Sequence, residues 1–374
     1  MTTDSRVRLG VVGLGLIAQA VHLPNLRTLR DIFDVVHMCD LSPTLTDQLA
    51  REWGGPVRTS TDPAEVFADP DVDAVLLLTP GTHSALTEQA LRAGKHVLAE
   101  KPFAYSVAEA ESCADLAQDR GLVLQVGYMK MYEPMLDRAR VELARLGRIR
   151  LVRVTVLHPT QEQQTSHVRH LRYDDADPDA VAAAVEEERR RLDAAVGDLD
   201  EPFRSIYSDV LQASVCHEFS LLRGLLDDMP VAFSAAQVGT ATVGEQLKEP
   251  PQVQALGTVG EAQLMLSWNW LSGHPEYGEE LAVFGDSGSL YLHLPAPYTL
   301  NARAVLDVER MDGLERSTNR MRGEPRTGFD VELEAFHASV TAGAGIRSTA
   351  RGAARDTAAM WDLTQRLIET HTTQ

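Results

Sequence analysis

The sequence predicts an α/β protein, with a doubly wound parallel sheet first and an α+β region with an open, largely antiparallel sheet after it. Three observations carry this. Up to Val126, apolar runs of strand length alternate with helix-like segments, the rhythm of βαβ units. Beyond Val126 that rhythm gives way to runs of strand character separated by turns. The chain has 374 residues, and a single core stops growing near roughly 250–300 residues, so two domains are expected. The expected division is residues 1–126 and 127–374, with an insertion at about 160–205.

The first apolar run, Val7 to Val12, reads as a strand buried on both faces. It ends in Gly13-Leu14-Gly15-Leu16-Ile17-Ala18, a G-x-G-x-x-A from which a helix starts. Gly13 suits the tight strand-to-helix turn. Gly15 lets backbone N–H groups approach a pyrophosphate. Ala18 lets helix and strand pack closely. Such a motif alone also occurs as a simple turn. Here a second apolar run, Phe33 to Cys39, ends in Asp40, about 22 residues beyond Ala18. An acidic side chain there accepts from a ribose 2′-OH. The N-terminal part is therefore expected to be a dinucleotide-binding Rossmann domain, with Gly13, Gly15, Leu16, Ile17 and Asp40 among its cofactor contacts. Asp40 repels a 2′-phosphate, and Leu41-Ser42-Pro43 supplies no Arg to receive one, so NAD is expected rather than NADP.

The following elements keep the alternation. Ser42-Pro43 opens a helix that runs to about Trp53 and stops at Gly54-Gly55. Asp62-Pro63 opens a shorter one. Val72 to Leu78 is a buried strand, and Thr79-Pro80-Gly81-Thr82-His83 is its loop. A helix from Ser84 to Ala93 ends at Gly94. His96 to Ala99 is a strand with Glu100-Lys101-Pro102 at its end. Ser106-Val107-Ala108-Glu109 is a capping box, and Gly121 ends that helix before the strand Leu122 to Val126. Ligands in such sheets lie beyond the carboxyl ends of the strands. Gly13, Asp40, Thr79, Glu100 and Gly127 all fall there.

In the second part, a helix after Gly127–Pro134 ends near Gly147, and Ile149 to Leu157 alternates as a strand. His158 to Arg172 is polar, with His158, His167 and His170. These histidines could hold a metal, line a substrate, or form an ordinary exposed loop; they lack the tight spacing of a structural zinc site, and no metal is expected. Pro178 to Val196, with Glu186 to Arg191, reads as a solvated helix laced by i,i+4 ion pairs. Asp209 to Leu226 is a more apolar helix carrying His217. The expected strands are Ala232 to Val238, Ala262 to Leu271, Glu280 to Phe284, Ser289 to Leu294 and Ala304 to Glu309, with a hairpin-like turn at Gly285–Gly288. Trp268 and Trp270 share one face, for sheet packing, a subunit interface or sugar stacking. Helices at about 329–341 and 350–370 close the chain.

Composition narrows the function. Asp+Glu 54 against Lys+Arg 35 gives a net charge of −19, which disfavours direct nucleic-acid binding. Cys39, Cys113 and Cys216 lack metal-ligand spacing and suit small core positions in a reducing compartment. Met1 to Arg6 has no apolar signal region, and no apolar run is long enough to span a membrane. A cytoplasmic protein is expected. An open sheet with apolar runs needs a cover, so a homodimer or homotetramer is expected.

The chain resembles the Gfo/Idh/MocA oxidoreductases, which include inositol dehydrogenase and glucose–fructose oxidoreductase. Ala93-Gly94-Lys95-His96-Val97-Leu98-Ala99-Glu100-Lys101-Pro102 is similar to the family's A-G-K-H-V-x-x-E-K-P strand. Thr79-Pro80 with His83 resembles its T-P-x-x-x-H loop. Gly127-Tyr128-Met129 with Pro134 resembles the entry to its second domain, and Cys216-His217-Glu218 the segment of its catalytic histidine. The resemblance implies NAD(P)-dependent hydride transfer involving a secondary alcohol of a sugar, polyol or sugar derivative. It implies Lys101 and His217 as catalytic residues, with Lys101 orienting the hydroxyl and His217 taking its proton. Thr79, Pro80, His83, Glu100 and Lys101 join the cofactor contacts. Tyr128, Lys130, His158, Arg169 and Ser214 are candidates for the substrate side.

Two departures stand out. The family's Asp in D-x-x-x-H is Ala213 here, and the Asp usual three residues after the histidine is Ser220. Asp209 lies eight residues before His217, about 2.2 α-helical turns and so roughly 80° round an α-helix, which keeps it from standing in. A rebuilt substrate pocket follows. The alternatives are a hydrolase or eliminase assisted by transient oxidation with tightly bound NAD, and a non-enzymatic dinucleotide-binding regulator.

Overall fold

The computed structural model describes residues 6–239 and 249–372. The chain forms two compact units, and their division is not linear. The first comprises Met1–Tyr128, Val168–Gly197 and Glu332–Arg355; the second comprises Met129–His167, Asp198–Val331 and Asp356–Gln374. The expected boundary at 126/127 lies beside the first crossing. Part of the expected insertion, residues 168–197, belongs to the first unit.

The first unit holds six parallel strands: β1 (Val7–Val12), β2 (Phe33–Cys39), β3 (Arg58–Ser60), β4 (Ala74–Leu77), β5 (His96–Glu100) and β6 (Leu124–Gly127). Their order is β3-β2-β1-β4-β5-β6, that of a dinucleotide-binding doubly wound sheet, with its switch point between β1 and β4. The caps anticipated from sequence are present. Ser42 accepts from Leu45 N, Asp62 from Ala64 N and Ser106 from Glu109 N. Gly121 closes its helix in the left-handed region. Leu9, Val11, Leu14, Phe33, Met38, Leu76 and Leu98 form the core, joined by Leu333 and Phe336 from late in the chain.

After the glycine turn, the helix departs from α geometry. Residues 18–22 form a π turn in which Leu23 N donates to Ala18 O, and Pro24 sits at the start of the α-helix Leu23–Thr28. Proline lacks an N–H and clashes with the carbonyl four residues back. The wider turn accommodates it.

Among its described residues the second unit has eight strands: β7 (Ile149–His158), β8 (Val231–Val238), β9 (Val253–Val259), β10 (Ala262–Trp270), β11 (Gly278–Gly285), β12 (Gly288–Leu294), β13 (Val305–Asp312) and β14 (Glu315–Arg322). The order is β14-β13-β12-β11-β7-β10-β9-β8. Among the described residues of this sheet only the β7–β10 pair is parallel. The expected turn at Gly285–Gly288 joins β11 to β12. The helix Pro134–Leu143 packs on β12 and β13, and Cys216–Leu225 packs on that helix. Trp268 is buried, so the tryptophan face of β10 turns inward, and Met265 and Leu256 are the large apolar side chains exposed on the other face.

The helix expected over 209–226 is more complex. Phe203–Ser205 is α-helical, Ile206–Val215 is π-helical, and Cys216–Leu225 is α-helical again. The expected angle between Asp209 and His217 assumed α-helical spacing throughout. In the π segment hydrogen bonds run to the fifth residue back, as from Cys216 N to Leu211 O, so that angle does not hold. Cys39, Cys113 and Cys216 are buried and none of them forms a disulfide. No helix among the described residues is long and apolar enough to cross a membrane.

Candidate active site

Within the first unit, the candidate cofactor residues lie at the carboxyl ends of β1, β2, β4 and β5. Gly13 has φ +91, and a Cβ there would lie 2.6 Å from Leu78 C and Thr79 N. Only glycine makes this turn against the end of β4. At Gly15 an added Cβ would meet nothing within 4 Å. That open space, at the start of a helix with outward N–H groups, fits a pyrophosphate. Asp40 Oδ2 accepts from Leu14 N at 2.8 Å, and its Oδ1 accepts from Ser42 N at 3.0 Å. A carboxylate has about four lone-pair sites, so Asp40 retains capacity for a ribose hydroxyl.

At the end of β5, Glu100 is buried and Lys101 is half-buried. Glu100 Oε1 lies 2.8 Å from His22 Nε2, and Lys101 N donates to Glu100 Oε2 at 3.1 Å. Burial opposes ionisation of Glu100, but the His22 hydrogen bond and charge, with Lys101, hold its carboxyl below the usual range. The peptide between Lys101 and Pro102 is cis. His83 Nδ1 bonds Pro102 O at 2.9 Å, and the backbone N–H groups of His83 and Ser84 donate to Phe103 O. Burial lowers the His83 pKa, against the Pro102 carbonyl, and favours the neutral ring. Glu332 is buried near Glu100; burial, then the Glu100 charge, holds its carboxyl well above the usual range.

In the second unit, His217 and Glu218 open the helix Cys216–Leu225, and both are buried. Lys130 Nζ lies 2.8 Å from Glu218 Oε1 and 2.7 Å from Glu279 Oε2, while Tyr277 Oη donates to Glu279 Oε2 at 2.6 Å. Burial pushes Glu218 up to about 7, against the pull of Lys130, and the charge of Glu279 adds to the rise. The His158 ring stacks on Trp270 at 5.2 Å and touches Trp268 and Tyr277, each at 5.7 Å. Trp268 Nε1 donates to Ser214 Oγ at 2.9 Å. Tyr277 thus links the His158 ring cluster to the carboxylates around Lys130.

The profile of the oxidoreductase family with an NAD-binding Rossmann fold, Gfo/Idh/MocA, matches residues 7–128. Residues 7–128 are thus similar to the NAD-binding domain of the Gfo/Idh/MocA oxidoreductases. The scyllo-inositol 2-dehydrogenase (NAD(+)) of Bacillus subtilis (strain 168) is 32% identical over 148 residues, 39% of this chain and 43% of that protein. Inositol 2-dehydrogenase 3 of Saccharopolyspora erythraea is 26% identical over 346 residues, 90% of this chain and 86% of that protein. The match to the first of these spans under half of that relative's length, 43%. A 3-ketoreductase from Actinomadura kijaniata, solved with TDP-benzene and NADP, shares the fold. It has a TM-score of 0.69 at 21% identity, with 97% of each chain covered.

Against this family background the candidates sort by unit. Gly13, Gly15, Leu16, Ile17, Asp40, Thr79, Pro80, His83, Glu100 and Lys101 share the first unit's ligand edge. Two residues, not three, separate Pro80 from His83, so the Thr79 loop is one residue shorter than T-P-x-x-x-H. His83 is buried and braces the Pro102 turn, so any effect on a cofactor is through Lys101's neighbours. Ser214 and His158 meet through Trp268, and Lys130 joins them through Glu279 and Tyr277. Lys130 is buried in its ion pairs rather than open to a ligand. Arg169 and Tyr128 belong to the first unit instead; Arg169 is exposed, 3.8 Å from Glu52. Among the described residues no group of three or more His, Cys, Asp or Glu is placed to hold a metal.

Sequence reasoning missed His22, Tyr277 and Glu279, since a single histidine or glutamate outside a motif carries no spacing signal. It also read the charged helix as only solvated. The exposed pair Arg189–Asp193 has the expected i,i+4 spacing, while Glu186–Arg189 and Glu187–Arg190 are i,i+3 pairs. Glu188, however, accepts from Thr82 N at 2.9 Å and from Thr82 Oγ1 at 3.0 Å, and Arg191 pairs with Glu109 at 2.8 Å.

Proposed function

We propose that the chain is an NAD(H)-dependent oxidoreductase that moves a hydride between a secondary alcohol carbon of a sugar, polyol or sugar derivative and nicotinamide. One observation carries this reading: the glycine turn, Asp40 and Glu100-Lys101-Pro102 share the carboxyl edge of one parallel sheet. The relatives named inositol 2-dehydrogenase support the substrate class. Gly13 and Gly15 admit the pyrophosphate, and Asp40 accepts from the adenosine ribose. Nicotinamide, when bound, supplies the hydride acceptor or donor.

Lys101 orients the substrate hydroxyl, and His217 takes its proton as the carbon is oxidised. The buried Lys130–Glu218–Glu279 cluster, next to His217 in sequence, fixes the first turn of that residue's helix. Ala213 and Ser220, where the family has aspartates, leave fewer polar anchors and fit a substrate other than a plain inositol. Exposed Leu256 and Met265 on the second sheet support self-association as a homodimer or homotetramer; a monomeric mass by light scattering would count against it.

The test is a screen of inositols, aldoses, ketoses and nucleotide sugars with NAD or NADH, followed at 340 nm. Steady NADH formation or consumption with one substrate class is expected. Turnover without net NADH would replace this reading with redox-assisted hydrolysis or elimination. NADH binding without any turnover would replace it with a regulator.

A further inference from the structure

The stretch 168–197 lies along the ligand edge of the first unit and is tied down at several points. Leu171 N donates to Gln19 Oε1 at 2.8 Å, and Gln19 Nε2 donates to Leu171 O at 3.0 Å and to Leu14 O at 2.8 Å. Glu188 holds Thr82, and Arg191 holds Glu109. Between these ties, the Asp175 carboxylate accepts from Ser42 Oγ and, at 2.9 Å, from Thr44 N. Ser42 caps the helix Pro43–Trp53, and its own N–H donates to Asp40. Two carboxylates, Asp40 and Asp175, therefore flank Ser42 directly after β2.

This is where the two nicotinamide dinucleotides differ. A ribose 2′-OH donates to the acid at the end of β2; a 2′-phosphate needs donors or cations beside it. Beyond Asp40, Ser42 Oγ and Thr44 N are donors at the helix start, and Asp175 already sits on both. We propose that Asp175 is a cofactor-specificity residue: an internal carboxylate seated on the donors a 2′-phosphate would use, which excludes NADP(H) together with Asp40. This rests on the dinucleotide reading of the first unit and deepens it. The hydrogen bonds from Ser42 and Thr44 also hold the Asp175 carboxyl below the usual range, so it stays ionised at neutral pH. The segment was expected only as an insertion, so nothing in the glycine motif or in Asp40 foretells this contact.

The experiment is calorimetric titration of the full chain with NADH and with NADPH, using wild type, Asp175→Ala, Asp175→Asn and Asp40→Ala. Wild type should bind NADH and discriminate against NADPH. Asp175→Ala should tighten NADPH roughly ten- to hundredfold, as expected for relief of like-charge juxtaposition, with NADH unchanged within about threefold. Asp175→Asn keeps an acceptor and loses the charge, and should tighten NADPH by less. The gain should shrink at high salt. Unchanged NADPH affinity in a folded Asp175→Ala overturns the proposal while leaving the dinucleotide reading intact, as does wild type that binds NADPH as tightly as NADH. If wild type binds neither dinucleotide while its melting transition is normal, the dinucleotide reading itself fails. If both variants tighten NADH as much as NADPH, Asp175 acts as a general obstruction and not through the 2′-phosphate, which also overturns the proposal.

Discussion

His22 Nε2 meets Glu100 Oε1 at 2.8 Å, and both side chains are buried. The histidine comes from a π turn behind the glycine motif, and the glutamate precedes Lys101. The pair therefore ties the first helix to the end of β5. Removing His22 leaves a buried carboxylate short of one partner, a loss of about 1.5–3 kcal/mol. We expect His22→Ala to lower the urea midpoint accordingly, and Glu100→Gln in that background to recover part of the loss. Because the Glu100 pKa is lowered on folding, its contribution is present above the ordinary value of 4.5 and is lost as pH falls through the lower folded value. An unchanged acid limb in His22→Ala would show that the hydrogen bond does not set it.

Glu332 has the opposite sign. Its carboxyl oxygens are buried with no hydrogen-bond partner among the described residues, and burial with the Glu100 charge raises its pKa. A raised acid stabilises the fold at low pH, and that contribution is lost as pH rises towards the folded value. Glu332→Gln should match wild type near pH 5 and lose less stability on the alkaline side. Melting temperatures from pH 5 to 9 decide it; parallel profiles would remove Glu332 as the cause.

Lys130 lies buried between Glu218 and Glu279. Lys130→Met leaves two buried carboxylates without their cation, which should cost about 3–5 kcal/mol. Adding Glu279→Gln removes one of those charges and should recover part of that. A denaturation midpoint for Lys130→Met within error of wild type would show that the cluster is not a structural unit.

Lys101 and His217 are expected to act as one unit on the substrate hydroxyl. Each alanine variant should lower kcat/KM by roughly 10²–10⁴, and the double variant should be little worse than the poorer single one. NADH affinity should hold within a few-fold in His217→Ala. Ala213→Asp should remain active with altered substrate preference. A near-normal His217→Ala rate with an unchanged pH profile would remove His217 from proton transfer.

The parallel sheet was legible because its signals are local: apolar runs, glycine stops and side-chain caps at Ser42, Asp62 and Ser106. The motif Ala93–Pro102 was legible as a whole, yet its residues do different things. Lys95 Nζ donates to Asp69 O and Val72 O, and His96 Nδ1 accepts from Val123 N, so these two brace the far end of β5. Only Glu100-Lys101-Pro102 reaches the ligand edge. Elsewhere the signal was weak or absent. β14, Glu315–Arg322, is an exposed edge strand with no apolar alternation, and it pairs with β13 across a turn at Gly313. The π segment before His217 has the composition of an ordinary apolar helix, so α periodicity gave the wrong phase. Glu188 and Asp175 look like solvated charges until the fold brings Thr82 and Ser42 to them.

The first unit draws on three separate stretches of chain, and this limits how its parts can be exchanged. A chimaera that swaps residues 1–126 between relatives carries Ser42 and Asp40 into a new host. It leaves behind Asp175, the partner of Ser42, 133 positions further along, together with the Glu188 clasp on Thr82. Such a graft inherits the glycine motif complete but presents bare donors at the start of the helix Pro43–Trp53. The transplantable module is therefore a discontinuous one, residues 1–128 with 168–197 and 332–355, and a clean cut after β6 separates parts of one compact unit.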